Sequence, residues 1–184
     1  MKTTFVLSVI AALVLSTVAE APHQELKCHP SKCEGAKGKL AIGEMKHGEV
    51  KPERYLYGES RTLRAAKPGN SSVPPVQLYE CNAPDNYAKY GKEARLGQLR
   101  FDERVCLTVR SSGKVEVAEC AEIIDPSSKP DTLAEQWFQI AGQTVRHVGE
   151  KNSPIQDEAI MKHDNVTKLV ESKGNSGKSL FIVH

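Results

Sequence analysis

Residues 97–146, GQLRFDERVCLTVRSSGKVEVAECAEIIDPSSKPDTLAEQWFQIAGQTVR, decide the fold. Apolar and polar residues alternate in short runs along this stretch: Gln98-Leu99-Arg100-Phe101, Val105 to Val109, Val115 to Cys120, Trp137 to Ile140 and Thr144 to Val148. A period of two over four to six residues, broken by Gly, Pro, Asp and Ser, is the pattern of half-buried strands joined by tight turns. The same texture continues outward in Lys39 to Ile42, Val76 to Cys81 and Leu180 to Val183, and no segment carries a long helical stripe. The chain is read as all-β, with about ten to twelve short strands.

Working outward from 97–146 also reveals repetition. Gly97-Gln98-Leu99-Arg100 returns as Gly142-Gln143-Thr144-Val145-Arg146 and, more faintly, as Gly38-Lys39-Leu40, at spacings of 45 and 59 residues respectively. Val76 to Cys81 (VQLYEC) matches Val115 to Cys120 (VEVAEC), and Gln136 to Ile140 is echoed by Ser179 to Val183. Three units of about 45 residues, each with roughly four strands, predict a threefold barrel. One unit cannot bury its apolar face alone, and closing three on one another also removes exposed sheet edges.

Composition narrows the function classes. The 184 residues carry 25 Lys+Arg against 23 Asp+Glu, a formal charge of +2. That balance lacks the basic footprint of a nucleic-acid binder. Aromatics are 5% of the chain, with 13 Gly and 10 Pro, which favours many turns over packed long helices. At the start, Lys2 and the apolar run Phe5 to Leu15 read as a signal peptide, residues 1–19, with Thr17 and Ala19 permitting cleavage before Glu20. The run is too short to span a bilayer. A secreted, extracellular protein without a membrane span is expected, and the sequons at Asn70 and Asn165 suit that compartment as N-glycosylation sites. Residues 20–37 are polar and proline-punctuated and read as an extended N-terminal arm; the folded domain is placed at 38–184.

In these terms 97–146 resembles a repeat of the ricin B-type lectin family: Gly-x-hydrophobe-Arg, Cys-Leu-x-Val, a strand ending in Cys, a glutamine-and-tryptophan signature at Gln136-Trp137, then the next Gly motif. Residues 62–82 are similar to the matching part of the preceding repeat. The resemblance implies a β-trefoil, a core position for Trp137, a disulfide between Cys106 and Cys120, and carbohydrate binding without catalysis. It also implies where sugar would sit. The family's stacking aromatic falls on Tyr79 in the first unit and on Ala118 in the second, while its carboxylate positions fall on Arg64, Thr108 and Lys162, none of which is acidic. The Asn-Gln pair ahead of the tryptophan becomes Ala134-Glu135. Sugar recognition needs an aromatic surface with carboxylate and amide partners, and the residues that offer this are Tyr79 with Asn82, Asp85, Asn86 and Tyr87.

Secretion favours cysteine pairing over metal binding, so Cys28-His29-(x)3-Cys33 is not read as a metal site. With five cysteines one is left over: Cys28 and Cys33 could pair with each other, or one of them with Cys81. A leftover thiol offers a route from monomer to disulfide-linked dimer. Residues 174–179 (GNSGKS) resemble a phosphate loop but lack its first glycine and a following helix. His147, His163 and Asp164 have no nucleophile in a recognisable setting and read as scattered surface groups. Asp102 and Glu103 read as a hairpin turn, not a glycosidase pair. The expectation is a non-enzyme needing no cofactor or metal, with glycans or glycoproteins as partners and no nucleic acid. The alternative is a trefoil that has lost its sugar pockets and acts as a protease inhibitor or interaction module through a loop such as 82–95 or 149–158.

Overall fold

A computed structural model of the chain describes residues 24–59, 62–82, 95–124, 132–149, 154–162, 165–171 and 177–184. The protein is all-β. Fifteen strands run through the described residues: β1 (Gln24–Glu25), β2 (Cys28–Pro30), β3 (Lys37–Lys46), β4 (Glu49–Glu59), β5 (Thr62–Ala66), β6 (Val76–Cys81), β7 (Arg95–Arg100), β8 (Val105–Val109), β9 (Val115–Glu119), β10 (Ile123–Ile124), β11 (Phe138–Ala141), β12 (Thr144–His147), β13 (Glu158–Lys162), β14 (Asn165–Val170) and β15 (Ser179–Val183). The one helical element among the described residues is a 3-10 turn at Ala134–Gln136.

Six of these strands close a barrel. β3 pairs with β15, β15 with β12, β12 with β11, β11 with β7, β7 with β6, and β6 returns to β3. The other long strands form three hairpin partners, β4 with β5, β8 with β9 and β13 with β14, one between each successive pair of barrel strands. The hairpins also touch in a ring, β5 against β9, β9 against β14 and β14 against β5. Barrel and hairpins thus use twelve strands.

Alternation builds the core as the sequence pattern requires. Val115 and Val117 of β9, Leu107 and Val109 of β8, Leu40 and Ile42 of β3, and Leu78, Phe138 and Leu180 all turn inward into one cluster. The repeated glycines serve close approach. A side chain on Gly97 would strike the Tyr79 carbonyl across the β6–β7 pair, and one on Gly38 would strike Ile182 and Val183 of β15. Gly142 is different, lying in the β11–β12 turn at φ +59° with open space around it.

The N-terminal stretch does more than extend. β1 pairs with β10, and β2 pairs with β6 in the register Cys28 to Cys81 and Pro30 to Tyr79. Leu26 is buried in a second apolar cluster with Ala121, Leu133, Trp137 and Val148. The fold therefore reaches back at least to residue 24, across the boundary placed at residue 38. Trp137 is fully buried, and its neighbours belong to this satellite cluster, outside the main barrel core.

Candidate functional site

Tyr79 stands on β6 and is half-buried. One face of its ring is covered: the Arg100 guanidinium lies 4.3 Å from the ring centroid, a cation–π contact. Arg100 is held in turn. Its Nε and Nη2 donate to Gln98 Oε1 at 3.2 and 2.7 Å, and Nη1 donates to the Glu103 carbonyl at 3.0 Å. Burial lowers its pKa from the ordinary guanidinium value, with the Tyr79 and Glu122 charges pulling the other way.

Behind Arg100 the contacts run into the interior. Gln98 and Gln136 are fully buried. Gln98 Nε2 donates to the Ala121 carbonyl at 3.0 Å and to Gln136 Oε1 at 3.1 Å. Gln136 Oε1 also accepts from the Ala121 amide at 2.8 Å, while its Nε2 donates to Thr108 Oγ1 at 3.1 Å and to the Glu119 carbonyl at 2.8 Å. The glutamine of the tryptophan signature is thus the hub of a buried network tying β7, β8 and β9 to the 3-10 turn, and every partner is satisfied, as burial demands.

The remaining sequence-derived positions scatter. Thr108 is buried in that network. Arg64 is exposed and paired with Glu59 at 3.3 Å. Glu135, beside the signature, is 7% exposed at the side chain and takes Arg110 Nη1 at 2.5 Å. Asn82 binds the arm: its Oδ1 accepts from the Lys27 amide at 2.5 Å, and its own amide donates to the Lys27 carbonyl. Asp85, Asn86 and Tyr87 lie outside the described residues, as do the rest of 83–94 in the loop 82–95, residues 150–153 of the loop 149–158, the pair His163 and Asp164, and residues 174–176. The backbones of Lys162 and Asn165 fall in β13 and β14. Asn70 is exposed in the β5–β6 connection, its Oδ1 accepting the Ser72 amide at 2.9 Å. Asp102 caps its turn, its Oδ1 accepting from the amides of Arg104 and Val105 at 2.8 and 2.9 Å.

Two disulfides are present, Cys106–Cys120 across β8 and the end of β9, and Cys28–Cys81 across β2 and β6. The second decides among the open pairings: Cys33 is the free thiol. His147 departs from its reading as a surface group. It is 9% exposed, its Nε2 lies 2.9 Å from the Ala134 carbonyl, and its ring meets Phe138 edge-on at 5.3 Å. Burial pushes its pKa down to about 4, with bonds to Ala134 and Gln156 offsetting part of that. It shares the inward face of β12 with Val145, a period-two signal the sequence already held.

What the fold does assemble around Tyr79 is a cleft of about 280 Å³ lined by Lys37, Gln77, Tyr79, Arg100, Asp102 and Glu103. Pro74, Pro75 and Phe101 complete its wall. Apart from Tyr79, none of these positions was a candidate binding residue in the sequence. A faint signal existed in Arg100, the basic end of the repeated Gly-Gln-Leu-Arg motif. Register explains the assembly: Lys37 pairs with Gln77, and Gln77 with Arg100, so the three lie abreast on neighbouring strands β3, β6 and β7. Among the described residues no helix is long and apolar enough to cross a membrane. No protein-family model matches the chain, and no curated protein sequence matches it.

Proposed function

We propose that this chain is a secreted, non-catalytic carbohydrate-binding protein on a β-trefoil scaffold of the ricin B type. The scaffold reading is supported by three units that each give two strands to the closed barrel and one hairpin to a ring of three, together with the motifs of residues 97–146. Two intramolecular disulfides fit an oxidising, extracellular setting. The observation that carries the ligand class is the Tyr79 cleft. It gathers an aromatic ring, the Gln77 amide and the Glu103 carboxylate in one concavity, the group types that engage a sugar's apolar face and fork between its hydroxyls. Its seat is the groove between Tyr79 and the 100–103 turn, in place of the Tyr79–Tyr87 loop cluster read from the sequence.

A glycan array on the enzymatically deglycosylated protein from residue 20, run beside Tyr79→Ala, tests the reading. Binding that the substitution abolishes, with circular dichroism unchanged, supports it; absence of binding to every glycan sinks it. A single cleft predicts weak monovalent affinity without agglutination.

A second reading, an interaction module or protease inhibitor, is favoured by one observation. The β3–β4 hairpin continues past its barrel partner β15 through the pairs Glu44 to Lys51, Met45 to Val50 and Lys46 to Glu49, turning at His47 (φ +55°) and Gly48 (φ +83°). Met45 is 47% exposed on this ribbon. A protease panel with Met45→Asp would register loss of inhibition if the hairpin were the contact.

A further inference from the structure

The arginines of this protein are not alike. Arg64, Arg95, Arg110 and Arg146 each face a carboxylate: Glu59, Glu80, Glu135 and Asp157 respectively. Arg100, partly withdrawn from water, has only uncharged acceptors, the Gln98 amide oxygen and the Glu103 backbone carbonyl. A guanidinium has five donors in a rigid fork matched to an oxyanion. Three of its N–H groups are taken here, two remain, and Arg100 itself lines a cleft.

A second cation stands in the same row. Lys37 lies two strands from Arg100, with Gln77 between them. Neighbouring strands are about 4.8 Å apart, so the two cationic residues stand about 10 Å apart across the outer face, with an amide donor at the midpoint. Lys37 makes no ion pair among the described residues. The charges of nearby acids offset part of the row, but none among the described residues forms an ion pair with Arg100 or Lys37: the Asp102 carboxylate accepts two backbone amides, Glu103 reaches Arg100 through its backbone carbonyl, and Glu122 acts on Arg100 at a distance.

We infer that the Tyr79 cleft takes an acidic glycan, whose oxyanion, a carboxylate or a sulfate, seats between Arg100 and Lys37 over Gln77 while the sugar ring lies against Tyr79. This deepens the carbohydrate reading and rests on it. Gln98, fixed by Gln136 and the Ala121 carbonyl, holds the guanidinium in place before the ligand arrives, so little ordering is required on binding.

The test is titration calorimetry of the full mature chain against four probes: a uronic-acid oligosaccharide, its methyl ester, a sulfated oligosaccharide of neutral backbone, and inorganic sulfate. Affinity for at least one anionic oligosaccharide should exceed that for the methyl ester by about tenfold or more, the worth of a charge-assisted contact, and should fall with salt. Lys37→Gln, an exposed substitution that leaves the Gln98 network intact, should lower it about tenfold, and Arg100→Gln should lower it further. Preference for the methyl ester would overturn the acidic-ligand inference and leave the carbohydrate reading standing. Binding of inorganic sulfate alone, or no binding of any probe, would overturn the acidic-glycan inference; the carbohydrate reading itself falls only if the glycan array is also blank.

Discussion

The open and the covered parts of the outer face of β6–β7 use the same residue types for opposite ends. Inside, Gln98, Gln136 and Thr108 saturate one another, so that the positions the family resemblance marks for signature and sugar in the middle unit are committed to holding strands together. Outside, Gln77, Lys37 and Glu103 line an open cleft with polar groups turned to solvent. The difference teaches that a motif position does not carry its role with it. What decides is what covers the side chain: Gln98 shares the outer face of β6–β7 with Tyr79 and Arg100, and is buried there by Ala121 and Gln136, while Gln77 and Lys37 are left uncovered. Removing a covered group should therefore cost stability, and removing a cleft group should cost affinity.

The largest effect expected on the interior side is Trp137→Ala. Trp137 fills the cluster that joins the arm, through Leu26, to Leu133 and Val148. Emptying so large a site costs about 3–5 kcal/mol, read as a drop in the denaturant midpoint. Close behind is loss of Cys28–Cys81. That bond closes 53 residues where Cys106–Cys120 closes 14, so chain entropy makes it worth about 4 kcal/mol against about 3. Equilibrium unfolding of Cys28→Ser/Cys81→Ser beside Cys106→Ser/Cys120→Ser should show the arm bond to be the larger contributor. A reversed order would mean that the arm adds little to the fold.

The strands of residues 97–146 were legible in the sequence because each is long enough to show period two and because Gly97 and the alternating valines mark close packing and an inward face. β1 and β2 were not, since two or three polar residues carry no period, and their partners β10 and β6 are far along the chain. The Cys28–Cys81 bond was open for the same reason: pairing follows from register, and register from the closed barrel. The cleft was the least legible part. Lys37, Gln77 and Arg100 are widely separated in sequence and meet only because three barrel strands run side by side. A contact of Asn82 was equally out of reach, its side-chain oxygen accepting from the Lys27 amide of an arm that the sequence left unattached.

The next effect depends on pH. Burial lowers the His147 pKa from 6.5 to about 4 in the folded state, so as pH falls the unfolded chain takes up the proton first. Stability from keeping this ring neutral is fully present above pH 6.5 and is lost between pH 6.5 and 4, on the order of 3 kcal/mol in all. Chemical denaturation at pH 7, 5.5 and 4 should show the slope, and His147→Gln should flatten it. An unchanged slope in the variant would assign acid sensitivity to carboxylates elsewhere.

The smallest effects make the sharpest comparison, because one residue type can be removed from both regions. Gln136→Ala leaves the Ala121 amide, the Glu119 carbonyl, Gln98 and Thr108 short of partners, and with water entering the polar space to take up most of these bonds the net cost is about 1–3 kcal/mol. Gln77→Ala removes an amide whose contact with the protein, a 3.5 Å bond to the Ser31 carbonyl, is long, so stability should move by less than about 0.5 kcal/mol. Affinity for the cleft's ligand should respond in the reverse order, falling for Gln77→Ala and holding for Gln136→Ala at temperatures where that variant stays folded. If Gln77→Ala instead destabilised the fold as much as Gln136→Ala, the outer row would be a structural element of the barrel, and the division between a committed interior and an available surface would fail at its best-defined point.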